Sequence, residues 1–519
     1  MSRSKVPVGR WVAIVIALGL SVTTFAATGG GAAVGSKIDK FATLRVGVPV
    51  EANGGVFFDP TGPERNSQNP STRLWLDLLY DTMIRNTPDG KGEPGLATEW
   101  NAPDPNTVEL TLREGVKFSD GTDFNADAVK ASWDQLPENS NPVPNITAVT
   151  EVEVTGEFSV VIHLSDPVAQ TLIDQELRNA NFFAVVSPTA DAAGHEGMED
   201  NPVGAGPYIL ESYETGHIVL TKNPTYFDKK KQKVKTIEFI DTPVGAPSVA
   251  ALQAGTIDIT WSVPPDSIET INSTPGLEVS ALGGEGVYDL NLCQTSDVFA
   301  TKEARQAVAF AVDRDSINEA ALAGTGEPLV TPLGPDSPFF NEKLAKSYSY
   351  KPKKAKALLK KAGVEPGTVV SSVIPAQAPY PAIAEIVQSN LKDVGLVLEI
   401  TISTNFAADA GPAKPDLMTV QLDPHLFTLA LGGQTTVLNN CGYSNPELIQ
   451  ALADTADSSK SEAEVAEAWD TLQSIVVDEA VIVFLNRNAV LGANTDKVKG
   501  FDIINAPYGP QLNRISIEK

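Results

Sequence analysis

The chain has few of the side chains that build metal centres and nucleophilic active sites. Its 519 residues include only two cysteines and four histidines. The histidines are scattered, with no His-Glu-x-x-His or other paired spacing, so no metal site is predicted. The sequence also lacks a Gly-x-Ser-x-Gly nucleophile elbow, a phosphate-binding P-loop and a Gly-x-Gly-x-x-Gly motif. It therefore predicts neither a cofactor nor a catalytic residue.

Basic residues are also scarce relative to acidic ones. The chain has 39 lysines and arginines against 65 aspartates and glutamates, which gives a formal net charge of −26. This balance argues against nucleic acid as a partner and against electrostatic docking on an anionic membrane. The apolar content of 42% and the charged content of 20% are ordinary for a globular protein. A chain of this length is too long for a single core, so two or three lobes are expected.

The N-terminal segment is typical of an export signal. Three basic residues precede an uncharged, mostly apolar run from Trp11 to Phe25, and Ala26-Ala27 offers a small-residue cleavage site. We expect a signal peptide at 1–27, a linker over 28–41, and a mature protein that is periplasmic or extracellular. Because charge is absent as far as Gly35, the segment is also long enough to span a bilayer, and an uncleaved anchor is the alternative.

The two cysteines, Cys293 and Cys441, lie far from the N-terminus. In an exported protein they allow one disulfide. The alternative is a pair of buried free thiols. The sequence alone leaves both open.

Two blocks rich in glycine and proline give the strongest local signals. They are Leu112–Thr122, which reads as a strand followed by a tight Ser-Asp-Gly-Thr turn, and Pro202–Tyr208, which surrounds one tyrosine with glycine and proline. Glycine permits positive φ or close backbone approach and proline fixes φ, so each block demands a specific backbone path. Elsewhere, strand patterns alternate with helical spacing, which indicates α/β lobes. Ser461 and Glu464 predict a capping box at one helix start.

In this order, the two blocks resemble the bacterial extracellular solute-binding proteins of family 5, the peptide/nickel class that serves ABC importers. Further blocks follow in the family's order: Gly95–Trp100, Asn223–Tyr226, Gly255–Asp258, Tyr288–Asn291, Arg305–Arg314 and Gly442–Pro446. The resemblance implies an α/β, periplasmic-binding-protein-like two-lobe clamp, type II and cluster C-like, with an extra subdomain in the first lobe. It also implies a solute held between the lobes and a membrane permease as partner, and we expect a monomer.

The resemblance also suggests how the chain is divided. We expect a discontinuous first lobe made of 42–60, 180–285 and 485–519, an extra subdomain at 61–179, and a second lobe at 286–484. Many family members are lipoproteins, tethered through a cysteine just after the signal. No cysteine stands there in this chain, so no lipid tether is predicted.

The resemblance places the ligand pocket in three stretches: the segment after the first strand, the strand that opens the second lobe, and the region before Gly442. The candidate ligand contacts are Phe58, Trp261, Tyr288, Asn291, Asp423 and Asn440. Each has a structural alternative. For Trp261 the alternative is a place in the lobe core and for Asn440 it is a turn, and Tyr288 and Asn291 would not share a strand face.

One position departs from the family pattern. In the peptide binders an aspartate commonly stands three residues before an Asp-Pro pair and binds the ligand's amino group; here the pair is Asp423-Pro424 and that position is Val420. Because a buried ammonium needs a charged partner, amine capture requires another carboxylate, with Asp416 and Asp423 as alternatives. An oligopeptide or dipeptide is the expected ligand. An oligosaccharide or other polar solute is the alternative that Val420 favours, and an exported hydrolase is the alternative from another class.

Overall fold

The computed structural model describes most of the chain after the predicted signal and linker. The described residues are 38–51, 55–62, 71–87, 91–134, 144–192, 194–261, 263–281, 286–422, 430–433, 436–487, 490–501 and 510–519. The predicted signal peptide and Asp423 lie outside these ranges. Within them, no helix combines the length and the apolar content needed to cross a bilayer.

The described part contains 21 strands in five sheets. The strands are β1 (Thr43–Val48), β2 (Ile84–Asn86), β3 (Gly92–Pro94), β4 (Ala97–Asp104), β5 (Thr107–Leu112), β6 (Val149–Gly156), β7 (Ser159–Leu164), β8 (Tyr208–Glu214), β9 (His217–Lys222), β10 (Thr236–Asp241), β11 (Ile259–Trp261), β12 (Leu277–Ala281), β13 (Val287–Leu292), β14 (Glu327–Pro328), β15 (Val369–Pro375), β16 (Val397–Ser403), β17 (Leu417–Leu422), β18 (Ile482–Arg487), β19 (Leu491–Thr495), β20 (Val498–Lys499) and β21 (Ser516–Ile517).

The helices cover the faces of the larger sheets. They are α1 (Thr72–Tyr80), α2 (Ala126–Asp134), α3 (Pro144–Thr147), α4 (Ala169–Asp174), α5 (Ala180–Phe183), α6 (Pro188–Asp191), α7 (Gly194–Asp200), α8 (Ala246–Gln253), α9 (Ile268–Asn272), α10 (Lys302–Ala311), α11 (Arg314–Ala321), α12 (Pro352–Lys361), α13 (Tyr380–Asp393), α14 (Phe406–Ala413), α15 (Pro446–Ala456) and α16 (Glu462–Glu479).

A seven-stranded sheet forms the first lobe, in the order β12-β19-β11-β1-β10-β9-β8. Strands β10 and β11 run parallel to β1 on its two sides, while β9 and β19 are antiparallel to their neighbours. The Pro202–Tyr208 block leads into β8, and its Gly206 N–H donates to the Leu79 carbonyl at 2.9 Å. Tyr208 is fully buried, and its hydroxyl donates to the Val234 carbonyl at 2.9 Å. The block therefore anchors β8 to the end of α1.

A six-stranded sheet forms the second lobe, in the order β14-β18-β13-β17-β15-β16. Its central strand β13 is buried along its whole length, as expected for a strand covered by helices on both faces. Helices α10 to α13 pack on one face, and α14 to α16 pack on the other. The predicted capping box at Ser461 and Glu464 is confirmed at the start of α16.

A smaller antiparallel sheet, β4-β5-β7-β6, has its own apolar core and lies in the chain between α1 and β8. All strands of these three sheets except β18 lie within the segments expected for the first lobe, the extra subdomain and the second lobe, whereas β18 of the six-stranded sheet runs to Arg487 and so crosses the expected boundary at 484. The boundaries themselves stay predictions.

Cys293, directly after β13, forms a disulfide with Cys441. The two residues are 148 positions apart in the chain, with a Cα–Cα distance of 5.5 Å. Of the two alternatives left open by the sequence, the structure has the disulfide. It ties the end of a central strand to the turn that precedes α15.

Candidate functional site

The two large sheets are joined by two short crossings. The chain passes from β12 to β13 over 282–286 and from β18 to β19 over 488–490. Since an extended residue spans at most about 3.5 Å, the second crossing keeps Arg487 and Leu491 within about 14 Å of each other. The crossings therefore keep the connected ends of the two sheets close to each other, on the two sides of the gap that the crossing segments span.

We call this gap the interlobe cleft. On the first lobe it is bordered by the carboxyl ends of the parallel strands, at Val48, Asp241 and Trp261. On the second lobe it is bordered by the start of β13 at Val287 and the end of β17 at Leu422, which lie opposite each other. Carboxyl ends of parallel strands are where α/β proteins usually bind ligands.

Trp261 lies at the cleft edge, as the last residue of β11. Its side chain is partly buried and packs against the core of the seven-stranded sheet. The residue directly opposite on β19 is Gly492, which has no side chain to cover it. This placement supports the predicted ligand contact, which stays a prediction.

The segment that follows β1 is held by a buried hydrogen-bond network. The backbone N–H groups of Phe58 and Asp59 donate to the Glu199 carboxylate at 2.7 and 2.8 Å. Asp59 also accepts from the Thr61 hydroxyl at 2.6 Å and lies 2.9 Å from His195 Nδ1. Burial raises the pKa of Glu199, and the two backbone donors and His195 oppose that rise. The segment is thus fixed in place without any ligand.

Phe58 turns into the core of the first lobe. It is 2% exposed and packs edge-to-face on Tyr213, with ring centroids 5.5 Å apart. Its carbonyl accepts a hydrogen bond from the Tyr80 hydroxyl at 2.7 Å. The ligand-binding role of Phe58 stays a prediction, and this packing does not favour it.

On the second lobe, Tyr288 lies near the start of β13 and packs edge-to-face on Tyr380, the first residue of α13, at a centroid distance of 5.5 Å. Burial raises the pKa of both phenols, so both hydroxyls stay protonated at neutral pH. Protonated phenols near the cleft can donate hydrogen bonds to carbonyl or carboxylate oxygens of a ligand.

Asn291 and Asn440 lie close together, beside the disulfide and away from the interlobe cleft. Both line a small cavity next to Cys293 and Cys441, at the end of β13 remote from the cleft edge. Asn291 Nδ2 donates to the Leu438 carbonyl at 3.3 Å, and Asn440 Nδ2 donates to the Ala410 carbonyl at 3.1 Å. These contacts favour the structural alternative for both residues. As expected, Tyr288 and Asn291 face different cores.

The remaining predictions for the site concern Asp423 and metals. Asp423 lies outside the described residues. Within the described ranges, no group of three histidine, cysteine or carboxylate side chains is close enough together to hold a metal ion.

Sequence reasoning missed two residues. Asp289 is a fully buried carboxylate in β13, two residues from the cleft end of the strand. The sequence does carry a signal for it, because an aspartate within the mostly apolar strand Val-Tyr-Asp-Leu-Asn-Leu indicates a buried charged group. Ser458 follows α15 and contacts the extra subdomain, and no local pattern marks it.

Comparisons with known proteins agree with this architecture. The model of the bacterial extracellular solute-binding proteins, family 5 middle region, matches residues 91–434. The dipeptide-binding protein of Escherichia coli K12 is 26% identical over 468 residues, covering 82% of this chain and 86% of that protein. The nickel-binding periplasmic protein of the same strain is 25% identical over 495 residues, covering 87% and 90%. The structure of the binding protein AgaA with agropinic acid, from A. tumefaciens R10, has a TM-score of 0.78 at 23% identity and covers 92% of this chain and 99% of that chain.

The fold is that of a two-lobe periplasmic binding protein. The chain belongs to the bacterial extracellular solute-binding proteins of family 5.

Proposed function

We propose that the protein captures a dipeptide or oligopeptide in the interlobe cleft and delivers it to the permease of an ABC importer. The observation that carries this proposal is that only two short crossings join the two large sheets in the described part of the chain, an arrangement that suits hinged closure of two lobes on a ligand. A relative named for dipeptide binding supports the ligand class.

The same proposal covers location and mode of action. The mature chain works outside the cytoplasm, as the periplasmic relatives do. It acts as a monomer that binds and releases its ligand unchanged. Sequencing the N-terminus of the protein from its own cells will distinguish cleavage after 27 from retention as an anchor.

Native mass spectrometry of the protein purified from its own cells tests the ligand class, because buried clefts retain ligands through purification. A released peptide mass is the expected result. An oligosaccharide mass would support the polar-solute alternative, and a ligand recovered as cleavage products would support a hydrolase. Small-angle scattering should then show a smaller radius of gyration with the ligand than without it. An unchanged radius at saturation would contradict the clamp.

Among the described residues, three hydrogen bonds connect the segment expected to form the extra subdomain to the segment expected to form the second lobe. The Gln170 N–H, at the start of α4, donates to Ser458 Oγ at 2.9 Å. The Ser458 N–H donates to the Pro167 carbonyl at 2.6 Å, and the Thr171 hydroxyl donates to the Ala456 carbonyl at 3.2 Å. Because Val168 provides no side-chain cap for α4, Ser458 caps this helix from the other lobe.

Replacing Ser458 with alanine is expected to weaken ligand affinity about five-fold. The loss of one helix cap costs about 1 kcal/mol. This cap joins residue 458 to the start of α4, and we propose that its loss shifts the clamp toward the open form. Calorimetric titration with the peptide ligand checks the affinity. The control is Ser459→Ala, since the Ser459 hydroxyl bonds only within its own loop, to Asp457. Equal affinities for the two variants would contradict a role for this contact in closure.

A further inference from the structure

Asp289 is a buried carboxylate without a partner. Its side chain is fully buried. Among the described residues, none forms a hydrogen bond with either of its carboxylate oxygens. Burial raises the pKa of Asp289 well above its ordinary value. The nearby Leu422 N–H lowers this pKa only in part, because it does not form a hydrogen bond with the carboxylate. An ionised carboxylate in this environment costs several kcal/mol unless a cation joins it.

The neighbouring strands provide no such cation. In the pairing of β13 with its two neighbours, Asp289 lies opposite Val420 on one side and Phe484 on the other. β17 carries no titratable side chain, and the single one on β18, Arg487, is engaged with Glu327 and Asp336.

The helices on this face do not provide one either. The residues that α14, α15 and α16 bury here are uncharged. Asp409 of α14 accepts a hydrogen bond from Ser403. Burial and, to a lesser extent, Asp289 raise the pKa of Tyr380, which is a phenol and not a cation. The buried Arg314 guanidinium at the start of α11 donates to the backbone carbonyls of Ala309, Leu329 and Phe484.

The position of Asp289 relates it to the cleft. It is the third residue of β13, and β13 begins where the chain arrives from the first lobe. Val420 is directly opposite, so the two side chains share a face, with their Cβ atoms about 5 Å apart. Val420 is the residue that stands where peptide binders of this family commonly carry an aspartate. In this chain a carboxylate is present, but it lies one strand across.

We propose that Asp289 is the anionic pole of the ligand site and selects ligands that carry a primary ammonium group. For a peptide this group is its N-terminus. The proposal deepens the function proposed above and rests on it. A metal ion does not suit the position, because the described residues offer no second and third ligand near Asp289.

The proposal links binding to proton release. Without ligand, burial favours the protonated carboxyl, whereas a bound ammonium favours the ionised form. The pKa of Asp289 is therefore lower in the complex than in the free protein. Binding releases a proton at any pH between these two values. Affinity rises with pH across that window. Calorimetric titrations in buffers of different ionisation enthalpy measure the released protons directly.

The test combines one isosteric variant and one control. Asp289→Asn removes the charge and keeps the shape, and Asp297→Asn neutralises an exposed carboxylate of the same lobe. With tri-alanine as probe, we expect Asp289→Asn to lose affinity about a hundred-fold or more and to lose proton release. Asp297→Asn should bind like the unmodified protein. The thermal stability of ligand-free Asp289→Asn should be unchanged or higher, because an unpartnered buried acid is removed, and this separates loss of binding from loss of folding.

Two further arms separate the outcomes. N-acetyl-tri-alanine, which lacks the amine, should bind the unmodified protein as weakly as tri-alanine binds Asp289→Asn. Equal affinity for the free and acetylated peptides, or for the two variants, overturns the proposal and leaves peptide binding intact. The ligand retained by the native protein is also treated with an amine-selective reagent. A ligand without a primary amine overturns the proposal, whereas an amine that is not a peptide overturns only the peptide function.

Discussion

Replacing Gly206 with alanine is expected to lower the free energy of unfolding by about 3 kcal/mol. A Cβ at this position would press into the backbone at the end of α1, against the Leu78 carbonyl oxygen and 2.6 Å from the Leu79 carbonyl oxygen. Backbone atoms in a packed helix cannot move aside as a flexible side chain can. The Gly206 N–H also donates to the Leu79 carbonyl, so a shift would break that bond.

Urea unfolding monitored by tryptophan fluorescence checks this effect. The control is Gly411→Ala, because Gly411 lies within α14 with nothing within 4 Å of an added Cβ. That change should be neutral or slightly stabilising, since alanine favours helix over glycine. If both substitutions had the same small effect, the Pro202–Tyr208 block would not need its glycine for close packing.

Removing the disulfide by Cys293→Ser and Cys441→Ser together is expected to cost up to about 5 kcal/mol in the chain-entropy model. The bond closes a loop between residues 148 positions apart, and closing a long loop restricts the unfolded chain strongly. The unfolding midpoint in urea should therefore fall well below that of the unmodified protein.

Reductant provides the matched comparison. The unmodified protein with dithiothreitol should unfold at the midpoint of the double-serine variant, and the variant itself should be insensitive to dithiothreitol. A variant as stable as the oxidised protein would show that the bond adds nothing to stability.

Strand and helix positions could be predicted where the pattern is local. The sequence predicts a first strand at Thr43–Val48 and Asn125 as the cap of the helix that follows it. The structure has β1 with those ends, and Asn125 accepts from the Ala128 N–H at the start of α2 at 3.0 Å. The sequence also predicts a strand at Thr256–Ile259, and this prediction is wrong at its start by three residues. The Thr256 N–H donates to the Ala251 carbonyl at the end of α8, so β11 begins only at Ile259.

The site was less predictable because depth along a strand cannot be seen in sequence. Tyr288 and Asn291 are three residues apart, yet one lies near the cleft edge and the other beside the disulfide. Which end of β13 borders the cleft depends on where the chain crosses between lobes. Likewise, the pairing of Asp289 with Val420 depends on the register of β13 against β17, which spans more than a hundred residues of sequence.

The strand order of the first lobe constrains how the protein can be made. Strand β12 joins its sheet only through β19, which is the third strand from the described C-terminal end. Until residues 491–495 have left the secretion channel, β12 has no neighbour to pair with and the first lobe cannot be completed. All six strands of the second lobe lie between 287 and 487, and its last strand, β18, ends only just before β19 begins. Both large sheets therefore wait for adjacent strands of the chain, and the cleft can form only after residues 491–495 have emerged.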